Sequence, residues 1–184
     1  MKFSLPSLCV SGVVLGLLGL ASCKSDGSAG GDANQVAFND FESLDGWASN
    51  IESLTKEQAH SGKYSIGVNP NVEYGMNYMM VLNKIFDHKP RKLRVSGWAY
   101  MADSKSVAQL DIQLFDLAQG KAAFGESIDY ATAVKTPGKW VEISKEITLP
   151  ATTAGTQQLR VFLWRAGASS PAFIDDVRVT EVPD

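Results

Sequence analysis

The feature of this sequence that most constrains its fold is the alternation of apolar and other side chains in several short runs. In the run at 93–100, Leu93, Val95 and Ala99 fall on alternate positions, with polar or aromatic residues between them. The same period of two recurs in four further runs, at 108–115, 140–144, 159–164 and 173–179. Because a strand directs successive side chains to opposite faces, the pattern predicts an all-β fold, an antiparallel β-sandwich.

The N-terminus has the organisation of an export signal. An apolar, uncharged segment at 8–20 follows Lys2 and is too short to span a bilayer, which requires about 20 residues. It ends in Leu-Ala-Ser-Cys, which resembles the bacterial lipobox, in which Cys23 becomes the lipidated first residue. We therefore expect a lipoprotein signal peptide at 1–22 and a bacterial outer-membrane lipoprotein, facing the periplasm or the cell surface. An ordinary secretory signal is the alternative.

The rest of the chain divides simply. Residues 23–35 are rich in Gly, Ser and Asp without apolar periodicity, which predicts a flexible tether. Residues 36–184 contain no further low-complexity segment and no internal repeat, so we expect one domain there. Because Cys9 lies in the signal and Cys23 carries lipid, this domain has no cysteine left to form a disulfide.

Composition and motifs exclude several functions. A formal charge of −3 gives no electrostatic basis for binding nucleic acid. Two His and two Cys are too few for a structural zinc site with further chemistry. The sequence lacks the Gly-x-Ser-x-Gly and His-Glu-x-x-His motifs of hydrolases, so we do not expect an enzyme.

Seven motifs in a fixed order extend along the domain. They are Asn39–Glu42, Leu44–Trp47, Ala59–Ile66, Val95–Tyr100, Gly138–Val141, Ile147–Pro150 and Ala172–Val179. This order resembles the jelly-roll carbohydrate-binding modules of families 4, 9 and 22, which have a galactose-binding-like sandwich. The resemblance covers residues 36–182 and implies that Trp47 and Trp140 pack in the core and that His60 is structural.

The resemblance also implies a structural calcium ion. Its candidate ligands by position are Asp40, Glu42, Gly62, Lys63 and Asp175, the glycine and lysine through their carbonyl oxygens. Alternation places Asp175 on one face with Phe173, Val177 and Val179, so its inward carboxylate must bind a metal or be hydrogen-bonded. The alternative is that Asp175 accepts backbone N–H bonds at a corner of the sandwich.

The positions opposite the predicted core residues carry the functional prediction. Aromatic side chains there alternate with Arg, Asp and Gln, and flat rings beside a few directed polar groups are typical of sugar-binding sites. The candidate carbohydrate-binding residues are Trp98, Tyr100, Gln109, Asp111, Gln113, Arg160, Phe162 and Trp164. Alternatively, loops cover these rings as a second small core, with residues 74–82 as part of the cover. His88 lies in a polar loop without an evident partner.

These observations together predict a lipid-anchored, non-catalytic module. It would hold polysaccharide or oligosaccharide near the cell surface and act as a monomer. The alternative is a surface or periplasmic structural or protein-interaction module that uses the same aromatic face as an interface.

Overall fold

Eleven strands form two antiparallel sheets in the computed structural model, which describes residues 34–183. In the six-stranded sheet the order is β3–β4–β11–β6–β9, and β1 also pairs with β11. In the five-stranded sheet the order is β2–β5–β10–β7–β8. The strands are β1 Gln35–Asn39, β2 Trp47–Ala48, β3 Leu54–Thr55, β4 Ser65–Val68, β5 Tyr74–Val81, β6 Lys92–Met101, β7 Gln109–Asp116, β8 Lys121–Asp129, β9 Trp140–Thr148, β10 Gln158–Trp164 and β11 Ala172–Glu181.

Helical structure among these residues is confined to single turns. They are α1, at Tyr130–Ala133, and two 3₁₀ turns, at Ile51–Ser53 and Leu82–Lys84. No helix within 34–183 is long and apolar enough to cross a bilayer. The prediction of an all-β antiparallel sandwich is confirmed.

The core lies between the sheets and consists of the side chains that alternation predicted. Leu93, Leu110 and Leu159, one from each of β6, β7 and β10, are completely buried. Burial of each such side chain stabilises the fold by roughly 1.5–3 kcal/mol. Trp47 is buried as expected, with its ring edge-on to Phe41 at 5.1 Å.

A β-bulge in β11 breaks the alternation predicted for 173–179. Asp175 pairs with Trp98 and Arg178 pairs with Ser96, so two residues of β11 oppose Gly97 alone. The extra residue shifts the alternation by one position after the bulge.

The bulge changes which residues of β11 face the core. Ile174, Val177 and Val179 are buried toward the interior, whereas Asp175 lies on the outer side of the sheet. The prediction that Asp175 shares an inward face with Val177 and Val179 is wrong, because Asp176 adopts a left-handed backbone with φ of 48°.

The first and last strands of the sandwich are neighbours. β1 runs antiparallel to β11, with Asn39 opposite Val177. Beyond the paired residues, the N–H of Glu181 donates to the carbonyl of Asn34 at 2.8 Å. Both ends of the domain are therefore held in one ladder of backbone hydrogen bonds.

Candidate functional site

The eight candidate carbohydrate-binding residues occupy two different sheets. Trp98 and Tyr100 lie on β6 in the six-stranded sheet, and the other six lie on β7 and β10 in the five-stranded sheet. Since the sheets pack through their inner faces, their outer faces point in opposite directions. The prediction that all eight residues share one face is therefore wrong.

Six candidates come together on the outer face of the five-stranded sheet, with three residues of β5 that sequence analysis missed. The register aligns Trp164 with Tyr74 and Gln109 in one row of neighbouring side chains. We call this surface the platform face; it comprises Tyr74, Asn77, Met79, Gln109, Asp111, Gln113, Arg160, Phe162 and Trp164.

An aromatic cluster lies at one end of the platform face. The Tyr74 ring is nearly parallel to that of Trp164, with centroids 6.4 Å apart, and meets Phe162 edge-on at 6.1 Å. Tyr74 is 45% exposed, Trp164 is half-buried and Phe162 is 9% exposed. β5 lies beside β10 within the sheet, so residues 74–81 extend this face and do not cover it.

A carboxylate fixes the orientation of Trp164. Its indole Nε1 donates to Glu73 Oε1 at 2.8 Å, and Arg165 Nε donates to Glu73 Oε2 at 2.7 Å. These bonds lower the pKa of Glu73, the bond from Trp164 having the larger effect. The indole is thus held in one rotamer before any ligand arrives.

Asp111 lies at the centre of the platform face. Its neighbours across the sheet are Phe162 on β10 and Ser127 on β8. Burial raises the pKa of Asp111 to about 6. Gln109 and Gln113 flank it along β7, so a carboxylate and two amides face outward in a row. These groups can accept from and donate to adjacent hydroxyls.

Arg160 lies on β10 at the end of the platform face away from Trp164, with Phe162 between them. Its guanidinium lies 3.5 Å from the centroid of the Phe115 ring, and its Nε donates to Gln158 Oε1 at 2.8 Å. Stacking on a ring holds the guanidinium flat while it retains further N–H donors.

The model of the Carbohydrate binding domain family (families 4 and 9 of carbohydrate-binding modules) matches residues 33–171. The chain belongs to this family. The resemblance inferred from the order of the motifs is confirmed, and no curated protein sequence matches significantly.

Solved structures show the same fold for this carbohydrate-binding domain. The CBM22-1 xylan-binding domain of Paenibacillus barcinonensis Xyn10C is 20% identical with a TM-score of 0.53, over 82% of this chain and 96% of that one. The C-terminal family 22 module of Clostridium thermocellum Xyn10B is 16% identical with a TM-score of 0.54, over 83% and 99%. The CBM22-1–GH10 modules of Clostridium thermocellum Xyn10B, complexed with xylohexaose, are 16% identical with a TM-score of 0.54. The match covers 82% of this chain and 29% of that one. The predicted jelly-roll sandwich is confirmed.

Trp98 and Tyr100 belong to a second aromatic cluster of the carbohydrate-binding domain, on the outer face of the six-stranded sheet. The His60 ring stacks on Trp98 at 3.9 Å and 11°, and meets Trp140 edge-on at 5.7 Å. Tyr100 packs on Trp140 at 5.4 Å and on Phe173 at 5.9 Å. The expectation that Trp140 lies in the core is wrong, because it packs on the outside of its sheet.

Two adjacent aspartates bind the turn at 60–61. Asp175 is fully buried; its Oδ2 accepts from the backbone N–H of His60 at 2.8 Å and of Ser61 at 3.1 Å. Burial nevertheless raises the pKa of Asp175 to about 6. Asp176 accepts from Ser61 Oγ at 2.8 Å and contacts His60 Nδ1 at 2.6 Å. The hydrogen-bonded alternative for Asp175 is thus what the structure contains.

Glu42, another expected calcium ligand, is also engaged by backbone groups. Its Oε1 accepts from the N–H of Lys63 at 2.5 Å and of Tyr64 at 2.8 Å. Asp40 Oδ1 in turn accepts from the Glu42 N–H at 3.1 Å. Gly62 allows this approach, since a Cβ there would collide with the Glu42 carboxylate.

Of the expected ligands, the three acidic side chains of Asp40, Glu42 and Asp175 accept N–H bonds around this turn, whereas Lys63 donates one to Glu42. Within residues 34–183, no group of three or more His, Cys, Asp or Glu side chains could hold a metal ion. Calcium takes six to eight oxygens, so an ion here would also need backbone carbonyls such as those of Gly62 and Lys63. Calcium binding stays a prediction.

Two further expectations concern single residues. His88 has partners that the sequence did not reveal: Nδ1 contacts Asp87 at 2.7 Å and Nε2 contacts Glu181 at 2.8 Å. Both carboxylates raise the pKa of His88, and the hydrogen bond with Asp87 is the largest single cause. Cys23, the expected lipidation site, lies outside the described residues, as do the signal peptide and nearly all of the tether.

Proposed function

We propose that this chain is a non-catalytic module that binds polysaccharide or oligosaccharide on the platform face. The observation that carries the proposal is the ring cluster of Tyr74, Phe162 and Trp164 beside outward-facing Asp111. Sugar rings present apolar C–H faces to aromatic rings and hydroxyls to polar groups. The xylan-binding domains named above make xylan and xylohexaose the first ligands to test.

The side chains of the platform face also support the proposal that this module does not cleave glycan. Glycosidases use two carboxyl groups on either side of the scissile bond. Asp129 on β8 lies beside Gln109 on the same face as Asp111, but its carboxylate caps α1 by accepting from the Ala131 N–H at 2.8 Å. The expected activity is retention of glycan without its cleavage.

Calorimetric titration with xylan, xylohexaose and other soluble polysaccharides tests the site. We expect a dissociation constant between roughly micromolar and millimolar, or about −8 to −4 kcal/mol. Trp164→Ala should weaken binding at least about tenfold, because it removes one side of the ring cluster. Trp140→Ala is the matched control on the opposite face and should retain wild-type affinity. Unchanged binding by Trp164→Ala would refute the assignment.

The alternative is a protein interface on the same surface, which the exposed Tyr74 ring and the nearby Arg160 favour. Light scattering of the full chain separates the two. A dimer that Trp164→Ala dissociates supports the interface, whereas a monomer that binds glycan supports the module.

We further propose that Cys23 is lipidated and holds the domain at the bacterial outer membrane. The support is the lipobox-like Leu-Ala-Ser-Cys sequence after an apolar core of signal-peptide length. Labelled palmitate fed to cells expressing the chain should enter the wild-type protein and not Cys23→Ala, which should leave the membrane fraction. Label in neither protein would favour an ordinary secretory signal.

A further inference from the structure

A small depression lies on the outer face of the six-stranded sheet, on the side of the sandwich opposite the platform face. Its volume is about 220 Å³. Ser96 and the backbone of Gly97 line it, together with Phe38, Trp98, Glu142 and Arg178. None of these residues belongs to the platform face.

The strand geometry explains why the depression forms there. The bulge of β11 lies opposite Gly97, where the spacing of side chains is interrupted. Ser96, next to it, is a small residue in the central part of the sheet, and its register neighbours are Arg178 and Ser144. A small side chain between large ones leaves room for a ligand above the sheet.

The walls combine rings with fixed polar groups. The Arg178 guanidinium lies over the Phe38 ring at 4.7 Å, and Phe38 is 40% exposed. Trp98 also lines the depression, and the His60 ring stacked on its indole restricts its rotamer. Both walls are therefore organised before a ligand binds.

The depression is lined by charged groups of both signs, Arg178 and the carboxylates of Glu142 and Asp176. Together they offer hydrogen-bond donors and acceptors to a polar ligand without matching a strongly charged one. A neutral molecule with several hydroxyl groups can donate to Glu142, accept from Arg178 and exchange hydrogen bonds with Ser96. The rings provide a surface for its C–H groups.

We infer that this depression is a second saccharide site, which holds a single pyranose ring such as a chain end or branch. Its volume corresponds to about one sugar ring, so the rest of a longer chain would lie outside the depression. The site shares no residue with the platform face, so each can be removed separately.

Nuclear magnetic resonance titration of the ¹⁵N-labelled full chain tests this inference. The probes are the methyl β-pyranosides of xylose, glucose and galactose, each added to roughly 20 mM, well above a 1 mM dissociation constant. We expect saturable shifts of the Trp98 indole N–H and the Ser96 amide for at least one probe.

Filling the depression provides the decisive variant. Ser96→Val adds bulk at the floor with a residue that favours strands, so the fold is retained, and the affinity should fall at least tenfold. Ser144→Val is the matched control, because Ser144 lies directly opposite Ser96 on β9 but does not line the depression. It should bind as the wild type does.

The outcomes separate the two sites. Binding that survives Trp164→Ala and is lost in Ser96→Val supports the second site, even if the platform face binds nothing. Shifts confined to platform residues, an unchanged titration in Ser96→Val, or no shift with any probe would overturn the inference.

Discussion

Asp111, a candidate sugar-binding residue, lowers the stability of the fold when its carboxylate is ionised. Its carboxylate is half-buried on the platform face, and burial raises its pKa from an ordinary 3.8 to about 6. The folded protein therefore holds this proton more tightly than the unfolded chain does. As the pH rises from about 4 to 6, the free energy of unfolding therefore falls. Above pH 6 it stays lowered by the cost of burying the ionised Asp111 carboxylate.

Asp111→Asn should remove that penalty. Above pH 6 the variant should be more stable than the wild type by about 1–2 kcal/mol, less than the roughly 3 kcal/mol of the full pKa difference because the group is partly exposed. Below pH 4 the two proteins should be equally stable. Urea unfolding at pH 3.5 and 7.5 measures both values. A wild type as stable as the variant at pH 7.5 would contradict the burial penalty.

Glu73 acts through its neighbour and is a positioning residue. Glu73→Ala should free the Trp164 indole and weaken glycan binding about three- to tenfold, with little change in the unfolding midpoint. Glu146→Ala, which breaks the exposed pair with Arg94, is the control and should leave binding unchanged. Titration and thermal melting of both variants separate loss of orientation from loss of fold.

Individual strands are the elements that the sequence predicts best. Alternation in β6, β7 and β10 identified the buried leucines, because each strand on its own obliges neighbouring side chains to face opposite ways. It failed in β11, where a bulge left no signal in the apolar pattern. At the bulge, Asp175 and Asp176 both bind the turn at 60–61, which is distant in sequence and so invisible to a local pattern.

That turn provides an element-scale prediction. Gly62 and Gly138 both have a left-handed backbone, with φ of 55° and 78°, but only Gly62 has a side chain where its Cβ would lie. Gly138→Ala should cost about 1–2 kcal/mol for its backbone conformation alone. Gly62→Ala should cost roughly 1–3 kcal/mol more, because it displaces Glu42 from two backbone N–H groups. Chemical unfolding measures the difference, and equal losses would show that the Glu42 contact contributes nothing.

At the scale of the whole molecule, the sequence predicted the fold but misplaced part of the candidate site. Trp98 and Trp164 have the same local pattern, yet they lie on opposite sides of the sandwich. The alternation of apolar residues predicts which side chains of one strand face the core. It does not predict which sheet the strand joins, because that depends on pairing between segments far apart in sequence. The sequence does not reveal Tyr74 and Asn77 as site residues, because the apolar run at 74–82 suggests at most a covering segment and gives no sign that it pairs with β10.

Calcium is the remaining whole-molecule prediction. A structural ion would link the N-terminal segment, the turn at 60–64 and β11, so its removal should lower the melting temperature by several degrees. Melting of the domain with EDTA, and again with EDTA plus excess calcium, measures this effect. Identical curves would show that the hydrogen bonds around the turn suffice without an ion.

The pairing of β1 with β11 has a consequence for how such a domain can be used. Because Asn34 and Glu181 are joined by one hydrogen bond, the polypeptide enters and leaves the domain at nearly the same point. A domain with adjacent ends can be inserted into a surface loop of a host protein. The two host residues on either side of the insertion then stay about as close together as they are in the uninterrupted loop.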